Sequence, residues 1–167
     1  FKALYDITNH ALVAEQSSVA PLSTGIVRYS RYPDLQEAIT TFVRDEAKHS
    51  GIFRRYMHEK LGGEEKVSKD TVVAFKAFNQ LAKASPAASI FLALAVETVG
   101  GSFFDFFKDH APDPLFREMC RKIYENDEKR HVEIVTDLYN EHYRKGSRWE
   151  TFRNNNAMKA IVHEVYG

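Results

Sequence analysis

The chain has a single cysteine, Cys120, which excludes an internal disulfide and any metal site built from several thiolates. It has no net charge: 23 basic residues balance 23 acidic ones. Nothing in that balance points to nucleic acid or an anionic membrane surface as a partner. No apolar run approaches the roughly 18 residues of a membrane span; the most apolar one, Ala87 to Val96, contains Ser89 and stops at Glu97. The start shows no signal-peptide pattern. Since it is Phe1 rather than Met, a preceding segment is compatible with it. Glycine and proline are few, 8 and 5 of 167 residues, beside 44% hydrophobic and 28% charged residues. That is the composition of a globular, soluble, cytoplasmic protein, and the length suits one domain, 1–167, with a substantial core.

No segment alternates with the period of a strand, and helical periodicity dominates. The pattern predicts an all-α chain with core helices over about 2–32, 34–61, 86–109 and 114–145. A short helix is expected over about 70–84, and a tail over 146–167. Pro21 should bend the first helix, because its ring cannot continue the hydrogen-bond ladder. Pro33 separates the first two helices, Gly62 and Gly63 stop the second, and Ser85-Pro86 and Pro112-Asp113-Pro114 start the last two. Four long helices with short turns describe a bundle made of two helix hairpins.

Against that background six residues stand out. Asp45-Glu46-Ala47-Lys48-His49 and Asp127-Glu128-Lys129-Arg130-His131 both read Asp-Glu-x-x-His, one in the second core helix and one in the fourth. Residues three apart share a helix face, so each Glu and His can reach one point. By itself this pattern is common on solvated charged faces. The other two helices change the weighting. Glu15 is the sole acid between Asp6 and Asp34, and Glu97 the sole acid between Asp70 and Asp105. Each sits in an apolar stretch where burying a carboxylate is costly without a partner. A basic partner or a protonated acid would answer that cost but would not predict the positions. Glu15 to Glu46 and Glu97 to Glu128 are both 31 residues, and Glu15/Glu97, Glu46/Glu128 and His49/His131 are each 82 apart. The chain therefore repeats a hairpin that offers one Glu, then one Glu-x-x-His. Four carboxylates and two neutral imidazoles balance two divalent cations, and oxygen with nitrogen ligands suits iron or manganese. We read Glu46 and Glu128 as bridging and Glu15 and Glu97 as terminal ligands, with His49 and His131 completing the set.

This ligand pattern resembles that of the ferritin-like di-iron carboxylate proteins. The segment 127–131 is similar to the corresponding motif of acyl-carrier-protein desaturases, and Asp45 to Gly63 is similar to bacterioferritins and rubrerythrins. The resemblance implies a ferritin-like four-helix bundle holding two iron ions, or a manganese and an iron. It implies an oxidase or oxygenase that activates dioxygen to oxidise a small organic substrate with an electron donor. The alternative is iron oxidation and storage, or peroxide detoxification. Ala47 stands where bacterioferritin has its haem-binding Met, so no haem is expected, and one Cys cannot build the second iron centre of rubrerythrins. A homodimer is compatible with the resemblance. By the same analogy Asp127 would orient His49, and Asp45 would orient His131. For each Asp the alternative is an exposed acid with a neighbouring Lys or Arg.

Three further features bear on a substrate. Gly100 and Gly101 lie one turn after Glu97 on its side of the helix, and leave room for substrate or oxygen unless they serve close helix packing or a bend. Phe104, with Phe103, Phe106 and Phe107, is core and pocket lining. Tyr124, one turn before Glu128, is a candidate catalytic hydrogen-bond donor or redox-active residue, or a core side chain.

Overall fold

The computed structural model describes residues 2–69 and 86–140, with isolated positions at 72, 73, 76, 80 and 156. Apart from those positions, the expected helix over 70–84 and tail over 146–167 lie outside the described residues, as does 141–145. Every element among the described residues is helical, and the described part of the chain is all-α. None of these helices is long and apolar enough to cross a membrane. The chain divides into two compact units, Phe1–Asn79 and Gln80–Gly167, and each contains one of the two expected hairpins.

In the first unit, α1 (Lys2–Arg28) packs on α2 (Pro33–Lys60). Their buried residues form one stripe on each helix: Thr8, Ala11, Leu12, Glu15, Ser18 and Pro21 on α1, and Ile39, Phe42, Glu46, His49, Phe53 and Met57 on α2. Three- and four-residue steps keep such positions on one side of a 3.6-residue helix. The two carboxylates and the imidazole thus lie in the same rows as the apolar core, which fixes their heights along the hairpin.

The helix ends follow local chemistry. α1 continues through Pro21 and stops at Arg28, not at Tyr32 as expected. The Tyr32 N–H instead donates to Tyr29 O at 2.8 Å, a tight turn, and Tyr32 is extended (φ −126°, ψ 84°). The ring of a following proline disfavours helical backbone there, and Pro33 is that proline. α2 ends one residue earlier than expected. Gly62 takes the left-handed conformation (φ 63°), and the Gly63 N–H turns back to Met57 O at 3.1 Å. The chain after this turn is strapped onto α1. Asn9 and Lys66 exchange two 2.8 Å hydrogen bonds through the Asn9 amide and the Lys66 backbone, and the Tyr5 hydroxyl donates to Glu64 O.

In the second unit, α3 (Pro86–His110) packs against α4 (Pro114–Ile123) and α5 (Lys129–Tyr139). Asp113 caps α4 by accepting the Phe116 N–H at 2.8 Å. The expected continuous helix over 114–145 is interrupted. Between α4 and α5 the five residues Tyr124–Glu128 form a π-helical turn, wider than an α-turn because its bonds span one more residue. The local core is aromatic. Phe104 and Phe116 are buried, Phe103 meets Phe104 edge-to-face at 5.2 Å, and Phe107 meets Phe116 at 6.0 Å. Cys120 is fully buried beneath them, and burial pushes its thiol pKa up to about 12.

Candidate metal centre

Each hairpin brings its three candidate ligands together. In the first, Glu15 comes from the middle of α1, and Glu46 and His49 come from one turn of α2. His49 Nδ1 lies 3.2 Å from Glu15 Oε2 and 3.8 Å from Glu46 Oε1. In the second, Glu97 comes from α3, Glu128 closes the π-helical turn and His131 begins the following α-helical turn. His131 Nδ1 lies 3.5 Å from Glu97 Oε2 and 3.6 Å from Glu128 Oε1. Within each triad, one oxygen of each Glu and one nitrogen of the His fall within 4.8 Å of one another. All six residues are buried, and both imidazoles are fully so.

This is a convergent donor arrangement rather than a run of surface charge. Two carboxylates in a buried site repel each other and are poorly solvated. A divalent cation between them would cancel the charge of each triad, with neutral imidazole as the third donor. The same ring nitrogen faces both carboxylates in both hairpins, which leaves the other for a different hydrogen bond. The residues therefore fit a mixed oxygen and nitrogen metal site in each half.

The neighbouring acids are organised alike as well. Asp45 and Asp127 are buried, and neither is the exposed acid of the simpler reading. Each nonetheless has a base one turn along its helix: Lys48 Nζ at 3.6 Å from Asp45, and Arg130 Nη2 at 3.2 Å from Asp127. Arg44 also approaches Asp45, at 3.4 Å.

One feature had no counterpart in the sequence reading. The Ser18 hydroxyl, buried one turn after Glu15, donates to Glu46 Oε2. In the second unit an open surface groove of about 400 Å³, lined mostly by exposed side chains, includes Glu128. Its walls include Thr98, Gly101, Ser102, Tyr124, Lys129 and Val132. Tyr124 and Gly101 thus line this space, whereas Phe104 belongs to the core beside it and is not among the lining residues. A methyl group added at Gly101 would meet nothing within 4 Å, and at Gly100 only Glu128 Oε2, at 3.8 Å. Gly101 therefore borders open space, whereas Gly100 faces the Glu128 carboxylate and is not among the lining residues. Two ammonium groups approach the Tyr124 ring, Lys129 Nζ at 5.0 Å and Lys108 Nζ at 5.6 Å from its centre. Hydrogen bonds to Asp109 and then Asp105 hold the Lys108 pKa above its usual value. The one signal in the sequence for the Ser18 contact is its place three residues beyond Glu15.

No protein-family model, curated protein or solved structure matches the chain.

Proposed function

We propose that the two hairpins close into one ferritin-like four-helix bundle, a single domain, in which the two triads together hold two iron ions. On this reading the protein is a di-iron oxidase or oxygenase acting on a small organic molecule. The observation that carries the reading is the repeated triad: in each hairpin a fully buried imidazole turns Nδ1 toward two buried carboxylates. Core packing favours apolar residues at such positions, and one buried ion pair would account for one triad but not for its repetition at a spacing of 82 residues.

Glu15, Glu46 and His49 would hold one ion, and Glu97, Glu128 and His131 the other. Bound iron would supply the redox chemistry needed to reduce dioxygen, with electrons from an external donor. The chain's own residues neutralise the ions' charge, keep bulk water from the buried triads and offer a groove at Glu128 for a small molecule. Tyr124 lines that groove one turn from Glu128, where its hydroxyl would bind the substrate or pass a proton.

Metal content tests the proposal directly. Wild type incubated with ferrous iron is expected to retain about two irons per chain and to develop near-ultraviolet absorbance on exposure to oxygen. Glu128→Ala should lose both the second equivalent and the absorbance while remaining helical by circular dichroism. A wild-type chain that retains no iron or manganese would remove the reading. A hollow particle of many subunits, seen by light scattering, would replace the oxidase with iron storage.

A further inference from the structure

Besides Ser18, α1 carries Thr8, Ser17, Ser23 and Thr24. Each of these donates its hydroxyl to a backbone carbonyl one turn back, a common outlet for such a side chain inside a helix. Ser18 has a carbonyl of that kind in reach, Glu15 O at 2.7 Å, but its hydroxyl also meets Glu46 Oε2 on α2. One proton serves two acceptors there, and an ionised carboxylate accepts more strongly than a peptide carbonyl. Three residues after Glu15, Ser18 stands buried on the same side of α1 as that candidate ligand. The other oxygen of Glu46, Oε1, lies 3.8 Å from His49 Nδ1, the ring nitrogen that also faces Glu15. The two oxygens of Glu46 are thus unlike: one meets a hydroxyl from α1, and the other faces the imidazole on its own helix. Core packing alone would be served as well by alanine at position 18, a better helix former with no polar atom to satisfy.

We propose that Ser18 is a positioning residue for the triad of the first hairpin. By donating to Oε2 it sets the rotation of the Glu46 carboxylate, so that Oε1 is the oxygen offered to an ion beside His49 Nδ1. A hydrogen-bond partner of this kind orients a ligand before the ion arrives. Every group involved belongs to Phe1–Asn79, and the proposal rests on the reading that Glu15, Glu46 and His49 bind a metal ion.

Cobalt(II) is a suitable probe, because its visible absorption reports coordination number and needs neither oxygen nor turnover. Full-length wild type, Ser18→Ala and Ser17→Ala would be titrated with cobalt(II), with metal content and circular dichroism measured on the same samples. Ser17→Ala is the control: its hydroxyl donates to Ala14 O, so removing it should change neither affinity nor spectrum. Ser18→Ala puts the best helix former inside a helix and should stay folded. It is expected to bind one cobalt per chain roughly 10- to 100-fold more weakly than wild type does. Its bands at saturation should also be weaker, because a carboxylate released from Ser18 can turn and give both oxygens to the ion, raising its coordination number. Complete loss of that cobalt from a helical Ser18→Ala chain is the same effect at greater size. Wild-type affinity or a wild-type spectrum in Ser18→Ala overturns the proposal, as does an equal change in Ser17→Ala. A wild type that binds no cobalt, iron or manganese overturns the metal reading itself, and the role of Ser18 with it.

Discussion

The two hairpins carry the same candidate ligands at the same spacing but surround them differently. The first is filled: Phe42, Phe53, Leu12 and Met57 have no exposed surface, and Ser18 ties Glu46 to α1. The second is opened: Gly100 and Gly101 replace side chains, the returning helix widens into a π-helical turn at Tyr124–Glu128, and an open groove includes Glu128. A repeated pattern of metal donors therefore does not imply two equivalent environments. What differs is the residue one turn after the first Glu of each hairpin, Ser18 or Gly100, while both triads stay buried.

Variants that break or sharpen this contrast should rank in a definite order. The largest effect is a difference in reactivity confined to the second hairpin. With its pKa at about 12 against an ordinary 9.0, Cys120 in the native fold should resist iodoacetamide at pH 8, and react once denaturant exposes it. Because the folded pKa is the higher, this thiol's contribution to stability is whole below pH 9 and is lost as the pH rises from there toward 12. Urea denaturation of the first hairpin's core comes next. Phe42→Ala removes a fully buried ring and should cost about 3–5 kcal/mol. The corresponding change at the groove, Tyr124→Ala, should cost about 1 kcal/mol or less. Equal losses at the two positions would show that Tyr124 is a core residue after all.

Gly63→Ala probes the strap that closes the first hairpin. An added methyl would overlap Tyr5 Cε2, so the ring must shift, at about 1–3 kcal/mol. Combining it with Tyr5→Ala should cost less than the sum of the two changes. The smallest of the structural effects belongs to the start of α4. Asp113→Ala removes a side-chain cap and should lower the unfolding free energy by about 1 kcal/mol. The same experiment has no equivalent at α2, where Tyr32 makes no side-chain cap bond and Pro33 opens the helix.

Much of this was legible in one dimension because it depends on period and punctuation. Glu15 and Glu97 could be singled out because an acid alone in an apolar helical stretch has few explanations, and Glu46, His49, Glu128 and His131 because three-residue spacing places them on one face. Pro33, Gly62 and Asp113 set helix ends through local steric and hydrogen-bonding rules that hold wherever they occur. The second hairpin was less legible. An α-helical period runs through Tyr124–Glu128 as well as anywhere else, and no residue there announces the wider turn. Ser18 looked like any small residue on a helix, since a hydroxyl becomes a tether only when a carboxylate 28 positions away comes within its reach.

The sequence by itself determined the helical class, the pairing of helices into two hairpins and the six candidate donors, because these follow from spacing along the chain. Only tertiary structure decided which nitrogen faces the carboxylates, that Asp45 and Asp127 are buried, that Ser18 donates to Glu46 and that Gly101 borders a groove at Glu128. Those depend on side chains from different helices meeting at one height, where burial, distance and available volume are set by packing and are not written in any local run of residues.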